Sequence, residues 1–334
     1  MFCKLIFEIP DYNAMKPFAF VFPGQGSQSV RMLDAWADHP AVVQTVQEAS
    51  DALAEDIGKL IREGPKEALS LTTNTQPVML VAGVATYRAW MAHTGAAPQA
   101  VAGHSLGEYA ALVAAGVLTM AQAAPLVRLR ARAMQEAVPV GAGAMAAVLG
   151  IEAAKVVAVC AEVTGSFGPE SPEVVEAANF NDPGQTVISG SKSAVDRACD
   201  ALKAAGARRA MALPVSAPFH SRLMRPAAEK LREALESIEF ASPHTLLINN
   251  VDVAVEVDAD RIRDALYRQS FGAVRWVECV RALKARGIAT VVECGPGKVL
   301  SGLVGRIDPE MIGLALLDPA SLVAVETALS GATA

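Results

Sequence analysis

Cysteine is scarce in this chain and forms no pattern. Among 334 residues there are five (Cys3, Cys160, Cys199, Cys279, Cys294), an odd number with no C-x-x-C pair. That spacing speaks against a disulfide framework and a thiolate zinc site, and no metal is expected. Long hydrophobic runs are missing too. No uninterrupted apolar stretch reaches the ~18 residues a membrane-spanning helix needs, so no membrane partner is expected. The opening residues, Met1-Phe2-Cys3-Lys4-Leu5-Ile6-Phe7-Glu8, are too short and too acidic for a signal peptide. Residues 1–14, ahead of Met15, read as an N-terminal extension. Together these absences suggest a reducing cytoplasm. Positive charge is also short: 29 Lys and Arg against 35 Asp and Glu leave a net −6. This argues against general nucleic-acid binding and leaves room for a local basic patch. Only five histidines are present, which narrows the search for a general base.

Apolar residues are abundant, at 52% of the chain, enough for a large core in one or two domains. Phe18-Ala19-Phe20-Val21-Phe22 reads as a buried strand stopped by Pro23-Gly24-Gln25-Gly26. Residues 40–62 carry the spaced apolar positions of a surface helix. Thr75-Gln76-Pro77 opens the next helix with Pro77 near its first position. Its body, Val78–Met91, is apolar nearly all round and therefore buried. Ala100–Ala102 reads as a strand and Met120–Ala137 as a helix. The rhythm then changes. Strand Ala144–Leu149, helix Ala153–Val163, strands Val174–Asn179 and Thr186–Ser189, helix Ala194–Ala205 and strand Arg209–Leu213 give the β-α-β-β-α-β order of a ferredoxin-like unit. The fold class is thus α/β, with a small subdomain (141–213) inserted into a larger one (15–140 and 214–334). Helices at Leu223–Leu235, Arg261–Gln269 and Val274–Arg286 alternate with strands at Leu246–Asn249 and Thr290–Cys294. Ser330–Ala334 reads as a loose tail.

The most informative residues are Gly103-His104-Ser105-Leu106-Gly107. They form G-x-S-x-G between a strand and a helix, the setting of a nucleophile elbow. The following helix would aim its N-terminal N–H groups at an oxyanion formed beside Ser105. A serine hydroxyl needs a base. His39 and His93 read as surface residues and His244 as a loop residue, while His104 would point away from its neighbour. His220, at the end of Pro214–His220 and the start of a helix, remains as the base candidate; a helix-capping histidine is its other reading. Arg128, Arg130 and Arg132 stand at alternate positions of one helix and cannot share a face. One of them facing Ser105 would clamp a carboxylate, and spacing does not say which. The Gly24-Gln25-Gly26-Ser27-Gln28 loop, at the carboxyl edge of the first strand, could add an N–H to that of Leu106 in an oxyanion hole. It lacks the lysine and spacing of a phosphate loop.

With these pieces the chain resembles the malonyl-CoA:acyl-carrier-protein transacylases of type II fatty-acid synthesis, from about Lys16 to Leu329. The resemblance rests on Phe20–Gln28, Gly103–Tyr109, Arg130–Gln135, Asn179–Gln185, Val215–His220, Asn249–Val251 and Gly295–Leu300, in that order. It implies an α/β-hydrolase-like large subdomain with a parallel sheet, and a ferredoxin-like small one. It implies Ser105 as acylated nucleophile and His220 as general base and acid. Arg130 would hold the malonyl carboxylate, and Gln25 and Leu106 would supply the oxyanion N–H groups. Gln269 would orient His220 through its backbone carbonyl, and Asn181 would lie near the substrate entrance. Malonyl-CoA and acyl carrier protein are the implied partners, with no tightly bound cofactor, and a monomer is expected. An acidic carrier requires a positive patch; Lys203, Arg208, Arg209, Lys298 and Arg306 are candidates. A carrier of polyketide synthesis or of malonate decarboxylase would fit the same chemistry. An esterase of the Ser…Asp/Glu…His order fits less well, since no histidine follows His244.

Overall fold

The computed structural model describes residues 15–331. The expected extension over 1–14 lies outside the described residues, as do residues 332–334. Nine strands, numbered along the chain, form two sheets among the described residues. Strands β1 (Phe18–Phe22), β2 (Ala100–Gly103), β7 (Leu246–Ile248), β8 (Thr290–Cys294) and β9 (Ile312–Leu316) make a parallel sheet in the order β7-β2-β1-β8-β9. Strands β3 (Gly143–Leu149), β4 (Val175–Asp182), β5 (Gln185–Ser191) and β6 (Arg209–Ala212) make an antiparallel sheet in the order β4-β5-β3-β6. That order, with two helices in the crossovers, is the ferredoxin-like topology.

The central strand β1 has no polar residue because helices cover both its faces, as in parallel sheets generally. Phe18, Phe20 and Phe22 project toward the helix Thr72–Thr94, where Tyr87 and Trp90 meet them edge-on at centroid distances of 5.2–6.3 Å for the whole aromatic group. Ala19 and Val21 project the other way, into a core with Trp276, Val280 and Leu303. The small sheet has a separate core of Val148, Val156, Ile188, Val195 and Leu202. Its strand β4 is bulged around Asn179 and Asp182 and docks there on the large body: Phe180 N–H donates to Val274 O, and Val274 N–H to Ala178 O, both at 2.9 Å. The bulge thus sets Asn181 over the elbow. No helix among the described residues is long and apolar enough to cross a membrane.

Several sequence expectations need correction. The helix expected over 40–62 is two, Pro40–Leu53 and Ile57–Glu63, because Ala54 takes a left-handed conformation and Asp56 caps a new start. The helix expected to open at Thr75 opens at Thr72, so Pro77 sits in its second turn. Proline has no N–H for the Thr73 carbonyl. Arg128 Nη1 supplies the missing donor at 2.7 Å. The helix expected over Val274–Arg286 covers Trp276–Lys284, since Val274 is held in the bridge to β4. That expected over Leu223–Leu235 begins as a short 3-10 turn at Arg222–Met224 and continues to Glu236. Ser330 ends a helix, Pro319–Ser330, rather than opening a tail. The structure adds this helix, β9 and the helices Lys66–Leu69 and Val299–Ile307 to the elements expected from sequence; Asp318-Pro319 is a good N-cap and N1 pair for the helix Pro319–Ser330.

Candidate active site

The elbow shows why its glycines are required. A Cβ on Gly103 would fall 1.9 Å from the carbonyl carbon of Gly107, and one on Gly107 would fall 2.0 Å from Phe22 O. Only bare backbone lets the turn cross the end of β1 so closely. Between them Ser105 is held at φ +53°, a left-handed conformation that a serine seldom adopts. Asn250, in the turn after β7, secures it. Asn250 Oδ1 accepts from Ser105 N at 2.7 Å, and its Nδ2 donates to Gly103 O at 2.6 Å.

His220 approaches from the opposite wall. Its Nε2 lies 2.6 Å from Ser105 Oγ, while its Nδ1 faces Gln269 O at 2.9 Å and Gly272 O at 3.2 Å. Two carbonyls can only accept, so the ring proton belongs on Nδ1 and the Nε2 lone pair faces the serine. Burial, and next the charge of Arg130, push the imidazole pKa down to about 3. It is therefore neutral, and able to take a proton, near neutral pH. Backbone carbonyls stand where many serine hydrolases place an acid.

Arg130 lies deep in the helix Met120–Glu136, 2% exposed. Its Nη1 donates to Gln76 Oε1 at 2.6 Å, and its Nη2 to Gln269 Oε1 at 3.1 Å and Ser105 Oγ at 3.3 Å. The guanidinium also lies 5.4 Å from the Tyr109 ring centre. No carboxylate pairs with it within 4 Å among the described residues. Arg128 is buried as well but is occupied by Glu55, Asn74 and Thr73 O. Arg132 is exposed. Of the three, only Arg130 is placed against Ser105 Oγ.

The other sequence-nominated residues frame this centre. Asn181 Oδ1 lies 2.8 Å from His104 Nε2, and the His104 ring sits 5.6 Å from that of Trp276. His104 is thereby turned from the serine, and burial lowers its pKa. Gln25 is exposed on the loop after β1, with its side chain tied to Thr72 Oγ1 at 2.9 Å. Leu106 caps the elbow helix Gly107–Ala114. The N–H groups of Gln25 and Leu106 have no acceptor among the described residues. Sequence reasoning missed Gln76, Glu108 and the side-chain roles of Asn250 and Gln269. The signal for Glu108 was available: it is a carboxylate in an otherwise apolar helix, 2% exposed. Burial pushes its pKa up to about 7. No cluster of His, Cys, Asp or Glu suited to a metal occurs among the described residues.

A serine with an oriented neutral imidazole can attack an activated acyl group. An unneutralised guanidinium beside the same hydroxyl can pair a carboxylate carried by that group. Comparison with known proteins agrees with these chemical features. Residues 19–305 match the family described as acyl transferase domain. A malonyl CoA-acyl carrier protein transacylase of Escherichia coli O157:H7 is 50% identical over 311 residues, covering 93% of this chain and 99% of the relative. The crystal structure of an acyl-carrier-protein S-malonyltransferase from Burkholderia pseudomallei 1710b is 57% identical at a TM-score of 0.89, covering 93% of this chain and 99% of that one. A malonyl-transacylase solved with a type II PKS acyl-carrier protein is 48% identical at a TM-score of 0.90, covering 95% and 100%. On the motifs, the two-sheet fold and these matches, the chain belongs to the malonyl-CoA:acyl-carrier-protein transacylase family.

Proposed function

We propose that Ser105 is the residue that carries the acyl group in this enzyme. The protein is an [acyl-carrier-protein] S-malonyltransferase: it moves malonyl from malonyl-CoA to the phosphopantetheine thiol of acyl carrier protein by ping-pong acyl transfer through a malonyl-serine. The observation that supports these residue roles is the convergence on one hydroxyl. Ser105 Oγ is 2.6 Å from His220 Nε2 and 3.3 Å from Arg130 Nη2.

In this reading the malonyl carboxylate pairs with Arg130, which sets the thioester carbonyl against Ser105. Ser105 attacks as His220 Nε2 takes its proton, and the new oxyanion is held by the N–H groups of Leu106 and Gln25. In other enzymes such a donor is worth ~3 kcal/mol or more. The intermediate collapses, and CoA leaves as a thiol with the proton from His220. The carrier's thiol then repeats the sequence in reverse, returning Ser105 Oγ–H. Gln269 O keeps the imidazole in the required tautomer throughout, and Asn181, over His104, lines the approach. Among the described residues, 15–140 with 214–331 form the catalytic subdomain and 141–213 the small one, and the space between them is read as the substrate path.

Mass spectrometry after brief mixing with malonyl-CoA tests the assignment. One malonyl group should appear on the Ser105 peptide and vanish when acyl carrier protein is added. An undiminished adduct in Ser105→Ala would overturn it. The similar structure holding a polyketide carrier favours a second reading of the acceptor. Discharge of the malonyl-enzyme by fatty-acid and polyketide carriers, measured side by side, separates the two.

A further inference from the structure

Beneath the reacting groups lies a buried carboxylate that the mechanism above does not use. Glu108, in the first turn of the elbow helix, accepts through one oxygen from Gln269 Nε2 at 2.9 Å and from Asn250 N at 3.0 Å. Each of these partners holds part of the reacting centre. The side chain of Asn250 pins the backbone from Gly103 to Ser105. Gln269 Nε2 also donates to Ser105 O at 2.9 Å, and its Oε1 accepts from Arg130 Nη2. We propose that Glu108 is a positioning residue for acyl transfer, locking the Ser105 backbone and the Arg130 guanidinium into one fixed unit through Asn250 and Gln269.

An amide has two faces, one that donates and one that accepts. Gln269 can offer Arg130 either its oxygen or its NH2. The oxygen favours the guanidinium; the NH2 would oppose it donor to donor. Glu108 as a carboxylate, like Ser105 O, can only accept. Together they claim both hydrogens of Nε2 and leave Oε1 facing Arg130. The same acceptor fixes the Asn250 backbone, whose side chain spans the left-handed serine. Removal of the carboxylate leaves one buried N–H of Asn250 and one of Gln269 without partners. It also frees the Gln269 amide to rotate. Nucleophile and clamp then lose their common reference, although neither has been altered. The raised pKa of Glu108 is in keeping with a group placed for its contacts rather than for its own solvation.

This inference rests on the roles given above to Ser105 and Arg130, which acylation of the wild-type enzyme tests separately. Its own test is the ratio of kcat/KM for malonyl-CoA to that for acetyl-CoA in folded variants. Glu108→Ala should lower malonyl transfer by about 100-fold, the scale of an ångström-sized misplacement, and acetyl transfer by less, so the ratio narrows by about tenfold. Glu108→Gln keeps an oxygen that can accept both N–H groups, and should recover at least about tenfold of the loss. Gln269→Ala cuts the link while leaving both the carboxylate and the backbone carbonyl, and should narrow the ratio likewise. Because both changes break one chain of contacts, the double variant should fall no more than about twofold below the worse single one. Glu108→Ala retaining the wild-type ratio overturns the proposal, and so does Glu108→Gln no better than alanine. An unchanged ratio in Gln269→Ala overturns it even if Glu108→Ala does not fold.

Discussion

Two ends of one short stretch of helix use the same side chain for opposite purposes. At the outer end, Arg128 meets a carboxylate, an amide oxygen and an unpaired backbone carbonyl: Glu55, Asn74 and Thr73. At the inner end, two residues on, Arg130 meets only neutral oxygens, those of Gln76, Gln269 and Ser105. Both are buried. A buried guanidinium whose neighbours supply hydrogen bonds but no adjacent carboxylate is satisfied in geometry and left hungry for charge. The difference separates an arginine that closes the fold from one whose neighbours leave its charge unpaired, as the proposed carboxylate clamp requires.

The largest expected effect breaks the inner end. Arg130→Ala should remove the preference for malonyl over acetyl. Loss of a desolvated charge pair typically costs ~3–5 kcal/mol, or roughly a hundredfold or more in kcat/KM for malonyl-CoA. Acetyl-CoA, which has no carboxylate to lose, should be affected far less. Steady-state rates with both donors check this, and a malonyl preference surviving in the variant would contradict the clamp.

Breaking the outer end should have the opposite profile. Arg128→Ala leaves Thr73 O without a donor, since Pro77 supplies none. A fully buried unsatisfied carbonyl costs ~1–3 kcal/mol, and Thr73, being half-buried, should fall at the lower end of that range. The lost pairing with Glu55 adds little, because that carboxylate is 43% exposed. The melting temperature should fall while the malonyl-to-acetyl ratio holds. A changed ratio without a change in stability would erase the contrast between the two arginines.

The contrast also predicts a pH effect. Burial and then Arg130 hold the His220 pKa down to about 3. The acid limb of Ser105 acylation should therefore lie well below the ordinary imidazole value of about 6.5. In Arg130→Ala, followed with acetyl-CoA, that limb should move upward. Stability follows with a definite sign. A depressed histidine contributes stability that is present above about 6.5 and lost as pH falls toward about 3. Glu108, raised to about 7, contributes in the reverse sense, fully below about 4.5 and less as pH rises to about 7. Denaturant midpoints of wild type and His220→Gln between pH 3 and 7 should diverge on the acid side, with the variant losing less.

How much of this was legible follows from where the determinants lie. The five residues of β1 and the elbow glycines announce themselves locally, because one strand's burial and one turn's crowding are settled within a few residues. The split β-α-β-β-α-β order was readable for the same reason. Burial of Arg128 and Arg130 was not, because it depends on Glu55, Asn74 and Gln76, some fifty or more positions away along the chain. Pro77 reads as a helix start until Arg128 is known to cover the carbonyl it leaves bare. Glu108 and the side chains of Asn250 and Gln269 form their network only when the elbow helix, the turn after β7 and the end of the helix Ala259–Gln269 meet.

The smallest effect sharpens the comparison with arginines that face solvent throughout. Arg208 and Arg209, at the start of β6, are exposed, as is Lys298. Arg306 lies 3.4 Å from Asp182 and Lys203 lies 3.4 Å from Asp200. These are the proposed docking charges for an acidic carrier. An exposed charge of this kind, paired across a surface, contributes only ~0.2–1 kcal/mol. Arg209→Glu replaces attraction by repulsion and should weaken discharge of the malonyl-enzyme by a few-fold, more at low salt than at high. Acylation of Ser105 by malonyl-CoA should stay at the wild-type rate, because that step does not involve the carrier. Equal slowing of both half-reactions would place Arg209 on the CoA path, and the charge would then read the nucleotide rather than the carrier.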